Sequence, residues 1–211
     1  KELMEKGSVA ELDITCLLLN HTDEDKKMMK TMKYQEEVDW LVRDHWRNTF
    51  ISNLVVDRKG NTLVLFQFVE KHGAVLFDMI KNKSGKSRPV YFVHGGTDTD
   101  QREKIRALTE KADNAIIIAS YGTFSTGINI KNLHNVVFAS PSKSRIRNLQ
   151  SIGRGLRLGD NKVACNLYDI GDDLSWKSKR NYTLEHLVER IKLYNEEGFK
   201  YKTIKVNKNG T

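Results

Sequence analysis

The sequence contains few cysteines, and their positions exclude two classes of protein. Among the 211 residues there are only two, Cys16 and Cys165, and neither belongs to a Cys-x-x-Cys pair or a histidine-rich cluster. Structural zinc sites and disulfide-stabilised secreted domains need several closely spaced cysteines or histidines. We therefore expect neither a disulfide framework nor a metal site, and the composition suits a reducing cytoplasm.

Long apolar runs are missing as well. The longest continuous runs, such as residues 63–66 and 115–119, are far shorter than the roughly 20 apolar residues of a membrane-spanning helix. The residues after Lys1 do not follow the pattern of a secretory leader. We therefore expect a cytoplasmic protein without a membrane partner.

The sequence also lacks a complete phosphate-binding P-loop. Gly85, Lys86 and Ser87 match the end of such a loop, but Ile80 stands where its first glycine belongs, and a predicted helix precedes them in place of a strand. The acidic residues 23–25 imitate a magnesium-binding acid pair, but residues 20–22 separate them from the preceding apolar run. We interpret the first segment as a solvated turn and the second as a helix-capping or solvated acidic turn.

The chain is basic. Its formal net charge is +8 and its pI is about 9.4, which favours a polyanionic partner, although many cytosolic proteins are basic for no specific reason. The hydrophobic fraction of 39% is enough for the core of one α/β domain with a flanking segment.

Strand and helix patterns alternate along most of the chain. Strands are predicted at residues 9–19, 62–68, 90–93, 115–119, 135–139 and 162–170, and helices within 26–58 and at 71–82, 100–111, 143–158 and 183–197. This alternation predicts an α/β fold with a doubly wound, mainly parallel sheet and helices on both faces. Residues 120–130 are predicted to form a loop of small hydroxyl residues. The basic residues 199–211 are either a phosphate-contacting tail or a disordered one.

Residues 150–157 have the composition of a phosphate-binding segment. If residues 142–158 are helical, Gln150, Arg154 and Arg157 project from one face. A guanidinium group can hold two phosphate oxygens at once, and Gly153 allows a ligand to approach the backbone closely. A solvated basic helix is the alternative interpretation. Ligands of open parallel sheets bind beyond the carboxyl ends of the strands, where both this segment and the hydroxyl loop are expected.

Four segments within residues 61–173 resemble, in the same order, motifs of the second RecA-like lobe of superfamily 2 helicases and translocases. Residues 150–157 match motif VI, Gln-x-x-Gly-Arg-x-x-Arg, and residues 120–130 resemble motif V. Residues 63–68 resemble motif IV, and His94 and Gly95 with Arg102 resemble a His-Gly element of these lobes. Residues 121–130 look most like the phage UvsW-type recombination and repair helicases. The resemblance implies a RecA-like fold.

The resemblance also implies an ATP site shared between two lobes. ATP and Mg²⁺ would be held mainly by an N-terminal lobe, while Arg157 and Arg154 act as arginine fingers. The implied nucleotide-binding residues are Gln150, Gly153, Gly127 and Asn129. Asn129 stands where many members of the superfamily carry aspartate, a difference that keeps a hydrogen-bond acceptor but removes a charge.

A further set of residues is implied in contacts with the phosphates of one nucleic-acid strand. They are Gln67, His94, Gly95, Ser120, Ser125, Thr126 and Lys143. Each also has a purely structural interpretation: Gln67 as a hydrogen-bonding group at a strand end, His94 as a packed turn residue, Ser120 as a helix cap.

We therefore expect the chain to be the C-terminal motor lobe of an ATP-dependent DNA helicase that acts in recombination, repair and branched-DNA unwinding. Without its N-terminal lobe it would be inactive as an ATP hydrolase. Residues 1–60 would form an inter-lobe linker strand and leading helices, 61–175 the RecA-like lobe, and 176–211 a C-terminal helix and basic tail. The partners would be DNA and the N-terminal lobe, and the protein would act as a monomer, in the host cytoplasm if a phage encodes it. Two alternatives stay open: a stand-alone, non-catalytic nucleic-acid-binding module, and an RNA-directed superfamily 2 lobe.

Overall fold

A computed structural model of the chain describes residues 11–127, 130–141 and 164–209. Their strands form one seven-stranded sheet of order β3-β4-β2-β5-β6-β1-β7, in which every neighbouring pair is parallel. The strands are β1 (Glu11–Asn20), β2 (Thr62–Phe66), β3 (Val90–Val93), β4 (Ile116–Ser120), β5 (Asn135–Phe138), β6 (Ala164–Asp173) and β7 (Lys200–Asn207). The helices are α1 (Asp23–Met29), α2 (Tyr34–Arg43), α3 (His45–Asp57), α4 (Ala74–Ser84), α5 (Thr99–Lys111), α6 (Tyr121–Gly127) and α7 (Tyr182–Glu196), and a π-helix at Val69–Gly73 precedes α4.

Helices cover both faces of the sheet. Ile105 of α5, Phe124 of α6 and Leu187 of α7 pack in a core on one face, while α3 and α4 contribute to a core on the other. Central strands covered on both faces must be apolar along their whole length, and β2 is buried at every position. The predicted RecA-like α/β fold with a parallel sheet is confirmed.

The two segments that imitate nucleotide-binding motifs are structural. Thr22 accepts a hydrogen bond at Oγ1 from the Asp25 amide (3.1 Å), so the acidic residues form the first turn of α1, where negative charge is favourable. After α4, Gly85 has a φ of +70°, and the chain passes through an exposed turn at Lys86 into β3. The predicted capping turn and solvated turn are both confirmed.

The basic C-terminal stretch is part of the sheet, which corrects the expectation of a tail. β7 pairs in parallel with β1, so β1 lies between β6 and β7. Gly198, with a φ of +75°, turns the chain after α7, and Phe199 is buried. The side chains of β7 are mostly exposed. The strand therefore depends on backbone pairing with β1, and an apolar pattern could not reveal it.

Cys16 and Cys165 are buried on the neighbouring strands β1 and β6 and are not joined by a disulfide. Burial raises the pKa of the Cys16 thiol. Within the part of the chain that the structure describes, no helix is long and apolar enough to span a bilayer, and no group of three or more His, Cys, Asp or Glu side chains could hold a metal ion.

Candidate functional site

The carboxyl ends of the parallel strands bring several of the predicted site residues to one edge of the sheet. Gln67 follows β2, His94 follows β3, and Ser120 is the last residue of β4. These strands are neighbours in the order β3-β4-β2 and lie about 4.8 Å apart, so the three residues fall within roughly 10 Å across the sheet. The edge is where a ligand of an open parallel sheet is expected.

The segment after β2 exposes Gln67 and buries the residues behind it. The Gln67 side chain is exposed, and its backbone amide donates a hydrogen bond to Ser140 Oγ (3.1 Å). The following π-helix packs on β2 so closely that a Cβ at Gly73 would lie 2.5 Å from a ring carbon of Phe66. Glycine is therefore required there, and the π-helix turns His72 into the interior.

The loop after β3 is held in shape by its own polar groups. The Gly96 amide donates to His94 Nδ1 (3.0 Å), and Thr97 Oγ1 accepts from the His94 amide (3.1 Å). Arg102 of α5 donates to the carbonyl groups of Thr97 (2.8 Å) and Gly95 (3.0 Å). The Gly95 backbone stays open, since no atom lies within 4 Å of the place that a Cβ would occupy.

The residues after β4 form a helix, where the hydroxyl-rich sequence predicts a loop. Ser120 Oγ lies 3.3 Å from the Thr123 amide and 2.6 Å from Thr123 Oγ1, so it caps the start of α6 as the structural interpretation predicts. Burial of Tyr121 and Phe124 against the sheet holds this short helix in place despite its low intrinsic helix propensity. Ser125, Thr126 and Gly127 belong to its last turn.

A buried histidine joins three elements behind this edge. His72 Nε2 donates to Asn48 Oδ1 of α3 (3.1 Å), and its Nδ1 accepts from Ser140 Oγ (2.5 Å) at the end of β5. Burial, together with the nearby Arg47 guanidinium, lowers the pKa of His72 to about 3. The imidazole is therefore neutral at physiological pH, in the tautomer with its proton on Nε2.

A buried ion pair lies next to it. Arg47 Nε is 3.0 Å from both carboxylate oxygens of Asp172, at the end of β6, and His21 Nε2 is 2.8 Å from Asp172 Oδ1. Burial alone would raise the pKa of Asp172, but the Arg47 charge and the His21 hydrogen bond lower it to about 2. Arg47 Nη1 also donates to the Ala139 carbonyl (2.7 Å), so the ion pair fixes β5 relative to β6.

These contacts converge on the end of β5. Arg47 binds the carbonyl group of Ala139, the Tyr121 hydroxyl donates to the carbonyl of Ser140 (3.1 Å), and His72 accepts from the hydroxyl of Ser140. Pro141, the next residue, is buried. Side chains from α3, the π-helix and α6 therefore hold the chain where it leaves the sheet toward residues 142–163.

The structure brings together part of the predicted site. Gln67, His94, Gly95 and Ser120 share the carboxyl edge of the sheet. The predicted residues that lie outside the described ranges are Asn129, Lys143, Gln150, Gly153, Arg154 and Arg157.

Sequence reasoning missed the buried polar residues Arg47, His72, Asp172 and Ser140. A signal existed for Arg47, because it shares an i, i+4, i+8 stripe of α3 with the fully buried Ile51 and Val55. A charged residue on an apolar stripe must find a partner in the interior. No pattern in the sequence indicates that the partner is Asp172, 125 residues away.

Comparison with known families agrees with this geometry. The family model described as the helicase conserved C-terminal domain matches residues 46–159. The match covers more than half of the chain, from α3 through residues 150–157. The chain therefore belongs to the family of helicase C-terminal domains.

Individual relatives narrow the position within that family. The chain is 39% identical over 219 aligned residues to the ATP-dependent DNA helicase uvsW of Enterobacteria phage T4. The alignment covers 98% of this chain and 43% of that relative. A putative ATP-dependent RNA helicase of Acanthamoeba polyphaga mimivirus is 27% identical over 74% of this chain and 32% of its own length. The crystal structure of T4 UvsW superposes with a TM-score of 0.82 at 38% identity, over 95% of this chain and 42% of that one. The predicted resemblance to the UvsW type is confirmed. The chain spans less than half the length of these curated relatives.

Proposed function

We propose that the chain is the C-terminal motor lobe of an ATP-dependent DNA helicase or translocase that unwinds branched DNA in recombination and repair. It would complete an ATP site whose other half belongs to a preceding RecA-like lobe, joined through residues 1–60. The observation that carries the proposal is that β2, β3, β4 and β5 end at one edge of the sheet, where β5 leads into the segment with Arg154 and Arg157.

In this proposal the chain contributes positive charge to phosphoryl transfer. Arg157, with Arg154, would extend across the interface between the lobes and stabilise the charge that develops on the transferred phosphoryl group. Gln150 would orient the guanidinium groups, while Gly153, Gly127 and Asn129 allow the nucleotide to approach. When bound, ATP with Mg²⁺ supplies the reactive phosphoryl group, and we propose that the preceding lobe holds most of both.

The same edge would hold the nucleic-acid backbone. Gln67 is exposed and the Gly95 backbone is open, so both fit a phosphate group. Ser120, His94, Ser125, Thr126 and Lys143 are proposed to add contacts. Hydroxyl and backbone N–H groups fix the position of a strand without reading its bases, as a translocating motor requires. Ser120 and His94 already have structural hydrogen bonds, so their contact with nucleic acid would be an additional one.

The test is Arg157→Ala in a protein that contains this chain together with the preceding lobe. Arginine fingers accelerate phosphoryl transfer roughly 10³- to 10⁵-fold in related hydrolases, so we expect kcat to fall by about that factor. Binding of DNA, measured by anisotropy, should change little. Arg43→Ala is the matched control, because Arg43 is an exposed arginine whose ion pair, among the described residues, is with Asp39.

A nearly wild-type kcat for Arg157→Ala would refute the arginine-finger role. The 211-residue chain alone should hydrolyse no ATP even with saturating DNA, and turnover by it would refute the shared site. Stimulation of the longer protein by RNA but not by DNA would favour the RNA-directed alternative. A reading frame without a Gly-Lys-Ser/Thr loop and an Asp-Glu box upstream of Lys1 would favour the stand-alone binding module.

A further inference from the structure

A short hairpin after β6 presents a group of positive charges at the same edge of the sheet. Trp176 and Lys179 form an antiparallel bridge with backbone hydrogen bonds of 3.0 and 3.1 Å, and Lys177 lies at the tip. Lys177, Lys179 and Arg180 are exposed, and Lys30 Nζ lies 5.9 Å above the half-buried Trp176 ring. These five residues are called the hairpin patch below.

The hairpin is attached rigidly to the fold. At its base, the Leu174 amide donates to Asn181 Oδ1 (2.9 Å), and Asn181 Nδ2 donates to the Asp172 carbonyl (3.0 Å). Leu174 packs with Met29 and Leu41 in a separate small core. The backbone that carries the cations is therefore fixed, so little backbone freedom is lost when the patch binds a ligand.

Most positive charges of the hairpin patch have no carboxylate paired with them among residues 11–127, 130–141 and 164–209. Residues 174–182 and 26–35 contain no acidic residue. Within the described part of the chain, no carboxylate forms an ion pair with Lys177 or Lys179, and Arg180 has only a distant, exposed contact with Glu185 (3.8 Å). Lys177 also adopts a φ of +55°, in the left-handed region that residues other than glycine rarely adopt. The turn itself therefore gains nothing from a lysine at this position.

The patch also includes an apolar notch. A cavity of about 90 Å³ is lined by apolar and aromatic residues including Met29, Met32, Trp176 and Tyr182, by the cations Lys30, Lys179 and Arg180, and by Glu37, whose buried carboxylate accepts from the Tyr182 and Thr183 amides. Cations around an aromatic and apolar surface are typical of sites for single-stranded nucleic acid, where bases stack on rings while lysine and arginine contact phosphates.

The position of the hairpin extends the candidate site. β6 is two strands from β2 in the order β2-β5-β6, a separation of about 10 Å. Phe138 of β5 is level with Asp169 of β6, so β6 continues beyond the end of β5 and the hairpin projects past it. A nucleic-acid strand that passes Gln67 and crosses the end of β5 would meet this projecting hairpin.

We propose that the hairpin patch is a second binding site for the sugar-phosphate backbone of nucleic acid, in addition to the loops after β2, β3 and β4. It rests on the proposed function only in taking nucleic acid as the ligand. Lys177, Lys179 and Arg180 contact phosphates, and Trp176 lies beside the bases.

The test compares the salt dependence of nucleic-acid binding by the 211-residue chain in two charge-matched triple variants. One is Lys177→Gln, Lys179→Gln, Arg180→Gln. The other is Lys81→Gln, Lys83→Gln, Lys86→Gln, at the opposite edge of the sheet, where α4 ends before β3. Binding of labelled oligothymidylate and of a forked duplex is measured by anisotropy between about 50 and 200 mM salt.

The slope of log K against log salt is negative, and the hairpin variant should reduce its magnitude by roughly two to three. Each lost phosphate contact removes about 0.7 to 0.9 from that magnitude. The control variant should change the slope by less than about one. Lys177→Gly is a second hairpin variant that relieves the positive φ, so it should fold at least as well as the natural chain and still lower the slope by about 0.7 to 0.9.

Each other outcome overturns the inference. Equal losses in both triple variants would mean general electrostatic attraction, and unchanged slopes in the hairpin variants would show that the patch does not contact the sugar-phosphate backbone. In either case binding by the natural chain would leave the proposed function standing. If the natural chain binds no nucleic acid at low salt, the hairpin site and the nucleic-acid contacts of the proposed function are both refuted.

Discussion

Arg47 is a charged residue with no exposed surface, and its environment explains how an interior position can hold it. Removing a guanidinium and a carboxylate from water costs several kcal/mol for each ion, which an ion pair offsets only when further hydrogen bonds are made. Arg47 has Asp172 on one side and the Ala139 carbonyl on the other, and Asp172 also binds His21. The result is a fixed distance between the ends of β5 and β6, close to Pro141, the last described residue after β5.

His72 should make the stability of the fold depend on pH. Its pKa is about 3 in the folded chain and about 6.5 in an unfolded one, so the unfolded state binds a proton first as the pH falls. Neutral His72 contributes its full stabilisation above pH 6.5. Below that pH the free energy of unfolding falls by about 1.4 kcal/mol per pH unit, which amounts to about 2 kcal/mol at pH 5. Urea unfolding at pH 7, 6 and 5 measures this loss.

The matched variant is His72→Gln, which keeps hydrogen-bonding groups beside Ser140 and Asn48 but cannot gain a proton in this pH range. It should be less stable than the natural chain at pH 7, with a shallower fall in unfolding free energy between pH 7 and 5. Parallel pH curves for the two proteins would show that His72 does not cause the dependence.

Among the secondary-structure elements, α7 depends on a residue of a distant helix. Glu37 of α2 accepts hydrogen bonds from the amides of Thr183 (2.7 Å) and Tyr182 (3.2 Å), in the first turn of α7. Its carboxylate is buried and faces the positive end of the helix dipole. Glu37 therefore caps α7 in place of a local N-cap side chain and joins the two helices, since the Asn181 side chain makes no cap hydrogen bond.

Glu37→Gln should lower the unfolding free energy by about 1 to 2 kcal/mol, because the amide keeps one acceptor but loses the charge at the helix N-terminus. Urea denaturation followed by circular dichroism measures the change. Glu36→Gln is the control, since Glu36 is the exposed neighbour on the same helix turn. Equal losses in the two variants would mean that net charge, and not the cap, is responsible.

The π-helix and α6 show how packing overrides local pattern. Residues 69–73 would continue α4 in a regular helix, but the close approach of Gly73 to Phe66 and the buried bonds of His72 favour the wider turn. Residues 121–127 have small hydroxyl side chains that favour a loop, yet Tyr121 and Phe124 anchor them as a helix on the sheet. Both differences lie beside the candidate site.

The molecule as a whole should depend on β7, although its side chains are mostly exposed. β7 pairs with β1 from Asp13↔Lys200 to Asn20↔Asn207, and Lys208 then bonds to Asp25 (2.7 Å) and Asp44 (3.1 Å). A chain truncated after Phe199 loses these bonds and leaves β1 as an unpaired edge. We expect its free energy of unfolding, and with it the urea midpoint, to fall by far more than the roughly 0.5 kcal/mol of a typical surface substitution. Its tendency to aggregate should rise because β1 becomes an open edge.

A chain truncated after Asn209 retains β7 and Lys208 and serves as the control. It should unfold at the midpoint of the natural protein. If the chain truncated after Phe199 also keeps that midpoint, β7 contributes nothing to stability and acts only as an appendage of the sheet.

Most of the fold was accessible from the pattern of residues. Strands β2, β4 and β5 were predicted because their runs of apolar residues, such as Ile116 to Ala119, are buried on both faces of a parallel sheet, and β3 and β6 because apolar segments alternate with helices. The loops at the carboxyl edge follow from strand direction alone, which is why Gln67, His94 and Ser120 could be assigned to one edge. β7 and α6 could not be predicted, because the first depends on pairing with a distant strand and the second on burial of two aromatic rings.

The amino-acid sequence was sufficient for the α/β class, the helicase C-terminal family and the order of its motifs, because apolar periodicity and motif spacing are local properties of the chain. The packed structure was required for the contacts of Arg47, His72, Asp172 and Glu37 and for the hairpin patch. Those depend on which residues meet across the sheet. Hydrogen bonds and ion pairs act only over a few ångströms, and the 125 residues between Arg47 and Asp172 give no sign in the sequence that the two will touch.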